Sequence, residues 1–159
     1  MLGGRGEPSR RAPIARIHRA GWRRPVRVPP AGERRWIARL GQRALEATER
    51  CEVVTIARRH GHVIDGGFVL ALGCDLRVTA QGTNFHIPEI DLGIPLTWGA
   101  VPRRAREVGA APARELILLA ERFDAARAAE IGLVNRVVAE NELDATVNGM
   151  VRTLCAKPE

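Results

Sequence analysis

Gly66 and Gly67 open the apolar run FVLALGC, and about twenty residues later Glu89 stands between Pro88 and Ile90. Both features could do chemistry. The first N–H groups of a helix have no partner inside it, and the helix dipole adds positive potential at that end. Glycine lets a carbonyl oxygen approach those N–H groups without a side chain in the way. The pattern predicts an oxyanion hole at this helix start, worth about 3–4 kcal/mol per donor when an enolate develops. Glu89, framed by Ile87 and Ile90, would be a carboxylate in an apolar surround. Such burial raises its pKa and suits it to general-base work. A tight turn followed by a surface glutamate would produce the same letters, so the pair needs context.

Other chemistries are excluded by residue type and spacing. The chain has one serine, Ser9, far from any catalytic context, which removes a serine triad. A phosphate loop would need Lys and Ser or Thr after its last glycine, but Gly73 is followed by Cys74 and Asp75. The dinucleotide-binding glycine spacing is also absent. His60 and His62 would aim to one side of an extended segment, yet no Cys or carboxylate cluster completes a ligand set, so no metal site is expected.

The elements that must carry these residues alternate. Trp36, Leu40, Ala44 and Ala47 form one helical stripe between Glu33 and about Arg50. EVVTIA, residues 52–57, reads as a buried strand, being short, apolar and β-branched. The glycine pair then turns into a buried helix, and DLRVTA, residues 75–80, reads as the next strand. FHI and a Pro- and Gly-rich loop, PEIDLGIP, follow. Helical character is expected from Thr97 to Val108 and over residues 113–120. The segment 123–132 should start on Asp124 as N-cap and close on Gly132. VNRVV, residues 134–138, reads as a strand, and residues 141–156 as a final helix with Leu143, Val147, Met150, Val151 and Leu154 on one face. This alternation predicts an α/β layer fold. No internal repeat is visible in the letters.

Charge is unevenly distributed. The net charge is +7, but residues 1–59 hold fifteen arginines against five glutamates, while residues 60–159 carry more acids than bases. Residues 1–32 are rich in Arg, Pro and Gly without periodicity and are expected to form a basic, poorly ordered arm before a domain over residues 33–159. A nucleic-acid partner is not expected, because a single aromatic, Trp22, lies among the basic residues of 1–32 and only 4% of the chain is aromatic. No apolar run reaches the ~18 residues of a membrane span. Three unpaired cysteines, Cys51, Cys74 and Cys155, and the lack of an apolar leader point to a reducing, cytoplasmic setting.

The segment HGHVIDGGFVLALGCDLRVTAQGTNFHIPEIDLGI, then VPRRAREVG and FDAARAAEIGLVNRVV, resembles the crotonase superfamily, the enoyl-CoA hydratase and isomerase family. The likeness runs over about residues 52–156. It rests on the Gly-Gly helix start, Cys-Asp before a strand, Pro-Glu-Ile, Leu-Gly-Ile and A-x-x-x-G-L-V-N-x-V-V. The resemblance implies a ββα spiral fold, homo-trimers or hexamers, and an acyl-CoA thioester as substrate, with coenzyme A present only as part of that substrate. It implies Gly66 as oxyanion donor, Glu89 as the acid/base, and Gly67, Val69, Pro88, Leu92 and Trp98 around the acyl group.

Departures from the family pattern sharpen the expectation. The family's two carboxylates fall at Val69 and Glu89, so only the second is kept. Water addition is served by two carboxylates, whereas moving one proton between carbons 2 and 4 needs one base, which favours isomerase-type chemistry. Val69, Leu70, Ala71 and Leu72 would make an apolar wall for the acyl chain. Arg58, Arg59 and Arg104 stand where small or apolar residues are usual, and Asp65 replaces a third glycine. No second oxyanion segment is found in residues 1–32, and the chain stops before the family's last helical region. The expectation is a member truncated at both ends, with a catalytically inactive binding or assembly subunit as the alternative.

Overall fold

A computed structural model describes residues 30–158. The expectations for residues 1–29 therefore lie outside the described residues. The chain opens with helix α1 (Ala31–Glu49) and then winds through two similar turns. The first is β1 (Ile56–Arg59), β2 (His62–Ile64) and α2 (Gly66–Leu72). The second is β3 (Leu76–Ala80), β4 (Asn84–His86) and, after a long loop, α3 (Ala100–Val108). Each turn gives one strand to each of two sheets: β1 lies parallel to β3, with Ile56 opposite Leu76, and β2 lies parallel to β4, with His62 opposite Asn84. The repetition is one of backbone path, which is why the letters carry no repeat.

Helix α4 (Ala110–Leu118), the two-residue strand β5 (Phe123–Asp124), α5 (Ala125–Glu130), β6 (Arg136–Val138), a 3-10 turn and α6 (Leu143–Cys155) complete the order. Strand β5 runs antiparallel to β4, and β6 adds to β3, so β3 and β4 are each central in their sheets. Four of the five residues of β3 are buried, as expected for a strand covered on both faces. The architecture is the expected crotonase-like ββα spiral in the α/β class.

Local signals explain several boundaries. The Asp124 carboxylate accepts from the Arg127 N–H at 2.9 Å, capping α5, and Gly132 takes φ +74° just past its end. Asp75 accepts from both the N–H and the hydroxyl of Thr55, at 2.7 and 2.8 Å, and its own N–H donates back to Thr55 Oγ1. That exchange fastens the start of β3 to the segment before β1. Asn135, in the Gly-Leu-Val-Asn signature, accepts from the Arg77 N–H at 2.7 Å. The Arg77 guanidinium donates to the carbonyls of Leu133 and Cys74 and pairs with Glu107.

Two sequence expectations are corrected. The strand expected at 52–57 lies four residues later, at 56–59; Val53 and Val54 are exposed, because the Thr55–Asp75 exchange sets where pairing begins. The stripe expected to bury α1 faces outward, with Trp36 59% and Leu40 39% exposed and Ala44 and Ala47 also exposed. The packed face instead carries Gly41 against Trp98, Leu45 fully buried, and Glu49 paired with Arg103. These are four apart and share one side of the helix. The largest apolar residues misled because a glycine marks the closest contact.

The main core joins Val63, Phe68, Leu72, Phe85, Ile87 and Leu133 between α2, the second sheet and α5. Phe68, Phe85 and Phe123 make an aromatic trio, Phe85 and Phe123 stacked with centroids 5.1 Å apart. Full burial of Phe68 or Phe85 contributes about 2 kcal/mol each. A second cluster seats α6 on the first sheet through Leu143 and Val147, with Met150 and Val151 beside them.

Candidate active site

Helix α2 starts at Gly66 and the loop after β4 carries Glu89, so the two turns of the spiral bring Asp65, at the N-cap of α2, and Glu89 into one cavity. Asp65 donates its N–H to the His86 carbonyl at 3.3 Å, tying the helix start to the end of β4. The Glu89 loop is closed on itself by the N–H groups of Leu92, Gly93 and Ile94, which donate to Pro88, Ile90 and Glu89. Asp65, Val69, Glu89, Ile94, Pro95, Leu96, Thr97 and Trp98 enclose a cavity of about 50 Å³.

Glu89 is 5% exposed, and its Oε2 is buried with no hydrogen-bond partner. Burial lifts its pKa above the ordinary carboxylate value, and the nearby Asp65 charge pushes the same way. Arg104 of α3 acts against both. This arginine is fully buried, none of its guanidinium nitrogens has a hydrogen-bond partner, and its Cζ lies 4.7 Å from the centroid of Phe68. Burial pulls its pKa down to about 10, with Glu89 and Asp65 pulling it up, so it stays charged at neutral pH. The site is therefore a cluster of three charges against an apolar wall, able to hold or release a proton at Glu89.

Asp65 takes φ +51° and ψ −126°, a conformation that glycine adopts freely and other residues do not. That is the physical content of the glycine expected at this position. Trp98 also has positive φ, +57°, and its ring lies against Gly66.

Among the other sequence-predicted residues, Val69 is buried between Leu45 and Ala100 and reaches the cavity. Leu70, Ala71 and Leu72 do not line it. Helical rotation sends Leu72 into the main core and Ala71 against Ala57 and Cys74, so the four residues do not form one wall. Gly66, Gly67, half-buried Pro88 and Leu92, which is 63% exposed, lie outside the cavity lining, Gly66 directly beside Asp65, which is in it. The sequence did not point to Ile94–Thr97 as lining, nor to Gly41 as a site contact. Gly41 did carry a signal, since a glycine inside a 19-residue helix breaks local preference by about 1 kcal/mol relative to alanine.

A second cavity, of about 430 Å³, is lined by Glu115, Leu119, Arg122, Phe123 and Arg127 among others and is separate from Glu89. Among the described residues, no helix is long and apolar enough to cross a membrane.

The family description enoyl-CoA hydratase/isomerase matches residues 35–159. A crotonyl-CoA hydratase of Syntrophomonas wolfei is 39% identical over 113 residues, which is 71% of this chain and 44% of that relative. A peroxisomal Δ(3,5)-Δ(2,4)-dienoyl-CoA isomerase of Arabidopsis thaliana is 40% identical over 65% of this chain and 37% of its own length. The chain thus spans less than half the length of these two relatives. Among solved structures, a proposed enoyl-CoA hydratase of Thermobifida fusca YX in complex with CoA is similar, with TM-score 0.76, 35% identity, and coverage of 82% of this chain and 51% of that one. The stacked ββα turns agree with these matches, and the chain belongs to the enoyl-CoA hydratase/isomerase family of the crotonase superfamily.

Proposed function

We propose that the chain belongs to an acyl-CoA enzyme that stabilises a thioester enolate at the Gly66 N–H and moves a proton with Glu89. The observation that carries this reading is the Glu89 carboxylate, buried with a free oxygen in a cavity it shares with Val69 of α2 and with Asp65, the residue before Gly66. A base with a raised pKa takes a proton from carbon 2 or 4 of an enoyl thioester and returns it to the other carbon. The N–H at Gly66 holds the oxygen on which charge develops. With valine at residue 69, the reaction favoured is isomerisation, which one base on one face can complete.

A specific observation supports hydration as a second reading. Asp65 lines the same cavity as Glu89 and adds a carboxylate one helical turn before Val69. Two carboxylates can share the work of orienting water, removing its proton and protonating carbon 2.

Purified full chain incubated with a 3-enoyl-CoA and a 2-enoyl-CoA tests both. Isomerised product that disappears in Glu89→Gln supports the first reading. Hydrated product lost in both Glu89→Gln and Asp65→Asn supports the second. Turnover that survives Glu89→Gln overturns the role of Glu89 in either. Thioester binding without turnover in the unsubstituted chain leaves a binding role alone.

A further inference from the structure

Helix α1 carries the apolar stripe Trp36, Leu40, Ala44 and Ala47 on the side turned away from the domain, with Trp36 59% and Leu40 39% exposed. The opposite side is fixed: Gly41 meets Trp98, Leu45 is fully buried, and Glu49 pairs with Arg103 of α3. Turning the helix to hide the stripe would break all three contacts. The stripe therefore faces outward for as long as the domain is folded.

A row of arginines borders it. Arg39, Arg43 and Arg50 are exposed, and steps of four and seven residues place them along the same side of the helix as Trp36 and Leu40. None of the three forms an ion pair among the described residues. The two acids between Trp36 and Arg50 are engaged elsewhere. Glu46, half-buried, accepts from Gln42 at 3.0 Å, and Glu49 holds Arg103. The sequence ahead of α1 continues the same sign, with eight arginines and one glutamate in residues 1–30.

An apolar strip bordered by arginines is the arrangement of a helix that lies in a membrane interface. The strip enters the headgroup region, tryptophan suits its amphipathic boundary, and the arginines reach lipid phosphates. Other occupants fit less well. Antiparallel pairing with α1 of a second copy would set the three arginines of one chain against those of the other. A nucleic acid would meet the charges but press phosphates on Leu40 and the alanines, and one tryptophan is no stacking platform.

We propose that the outer face of α1 is a docking surface for an anionic lipid bilayer, with Trp36 and Leu40 entering the interface and Arg39, Arg43 and Arg50 holding headgroup phosphates. The helix lies on the bilayer and does not cross it. The surface is independent of the chemistry at Glu89.

Cosedimentation of the full chain with vesicles tests it, using phosphatidylcholine alone and phosphatidylcholine with one-third phosphatidylserine. The unsubstituted chain should favour the anionic vesicles. Each arginine near such a surface contributes about fivefold before salt screening, so Arg39→Gln, Arg43→Gln and Arg50→Gln together should weaken that binding by roughly tenfold or more. Trp36→Ala with Leu40→Ser leaves the charge unchanged and should weaken it about tenfold. All five positions are exposed, so circular dichroism should show both variants folded. Trp36→Ala alone serves if the pair does not fold. Anionic-vesicle binding unchanged within about twofold by the apolar substitutions overturns the proposal, because charge alone then holds the chain. Failure of the unsubstituted chain to bind anionic vesicles also overturns it, and a duplex RNA bound in their place would assign the arginines to nucleic acid.

Discussion

The guanidinium of Arg104 lies over the face of Phe68, 4.7 Å from its centroid, fully buried and without a hydrogen-bond acceptor. The aromatic face recovers about 2 kcal/mol for a desolvated cation, less than the several kcal/mol that burying it costs. Replacing such a charge by a well-packed apolar side chain is commonly stabilising. Arg104→Leu should raise unfolding stability by about 1–2 kcal/mol, seen as a higher urea midpoint at unchanged slope. The same change removes the cation that holds Glu89 down, so the Glu89 titration should move to higher pH.

Asp65 is strained and crowds Glu89. Asp65→Gly removes a positive-φ penalty of about 1–3 kcal/mol and introduces a glycine entropy cost of about 0.5–1 kcal/mol, for a net gain near 1 kcal/mol in urea unfolding. Loss of the neighbouring negative charge should also lower the Glu89 pKa, followed by carbon-13 resonance of the labelled glutamate carboxyl.

The pH dependence of stability carries the Glu89 signature. Its pKa is raised in the fold, so between the unfolded value of about 4.5 and the higher folded value the unfolded chain binds fewer protons. Stability contributed by neutral Glu89 is fully present below that window and is lost as pH rises through the folded pKa. Glu89→Gln stays neutral throughout. Its stability should match the unsubstituted chain at low pH and exceed it increasingly as pH rises through the folded Glu89 pKa, measured as urea midpoints across a pH series.

Asn135 holds the N–H of Arg77 from the next strand. Asn135→Ala should cost about 1–2 kcal/mol by leaving that donor without its acceptor. Asn135→Asp keeps an acceptor and should retain most of the stability; equal losses in both variants would show that this bond is not the cause.

Legibility in the sequence followed the range of the physics involved. Asp124 and Gly132 bounded α5 correctly because capping acts within a few residues. The Gly66 helix start was readable for the same reason. The offset of β1 was not, since it is fixed by Asp75, twenty residues away. Nor was the packed face of α1, where the smallest residue makes the tightest contact. At the site, Glu89 could be named from its neighbours in the chain. Its coupling to Asp65 and Arg104 depends on three separate elements meeting, and no local pattern encodes that.

The stacking of the two spiral turns has a consequence for how the domain opens. Among the described residues, β1 and β2 each pair on one side only, whereas β3 and β4 pair on both. Both central strands thus belong to the same turn of the chain. Amide hydrogen exchange should show the first turn trading protons with solvent in brief, partial excursions, while the amides of Val78 to Ala80 and Phe85 exchange only when the domain comes apart as a whole. The first turn also carries Arg58, His60 and His62 along its outer strands, a charge and imidazoles that discourage a stray chain from docking there during such an excursion.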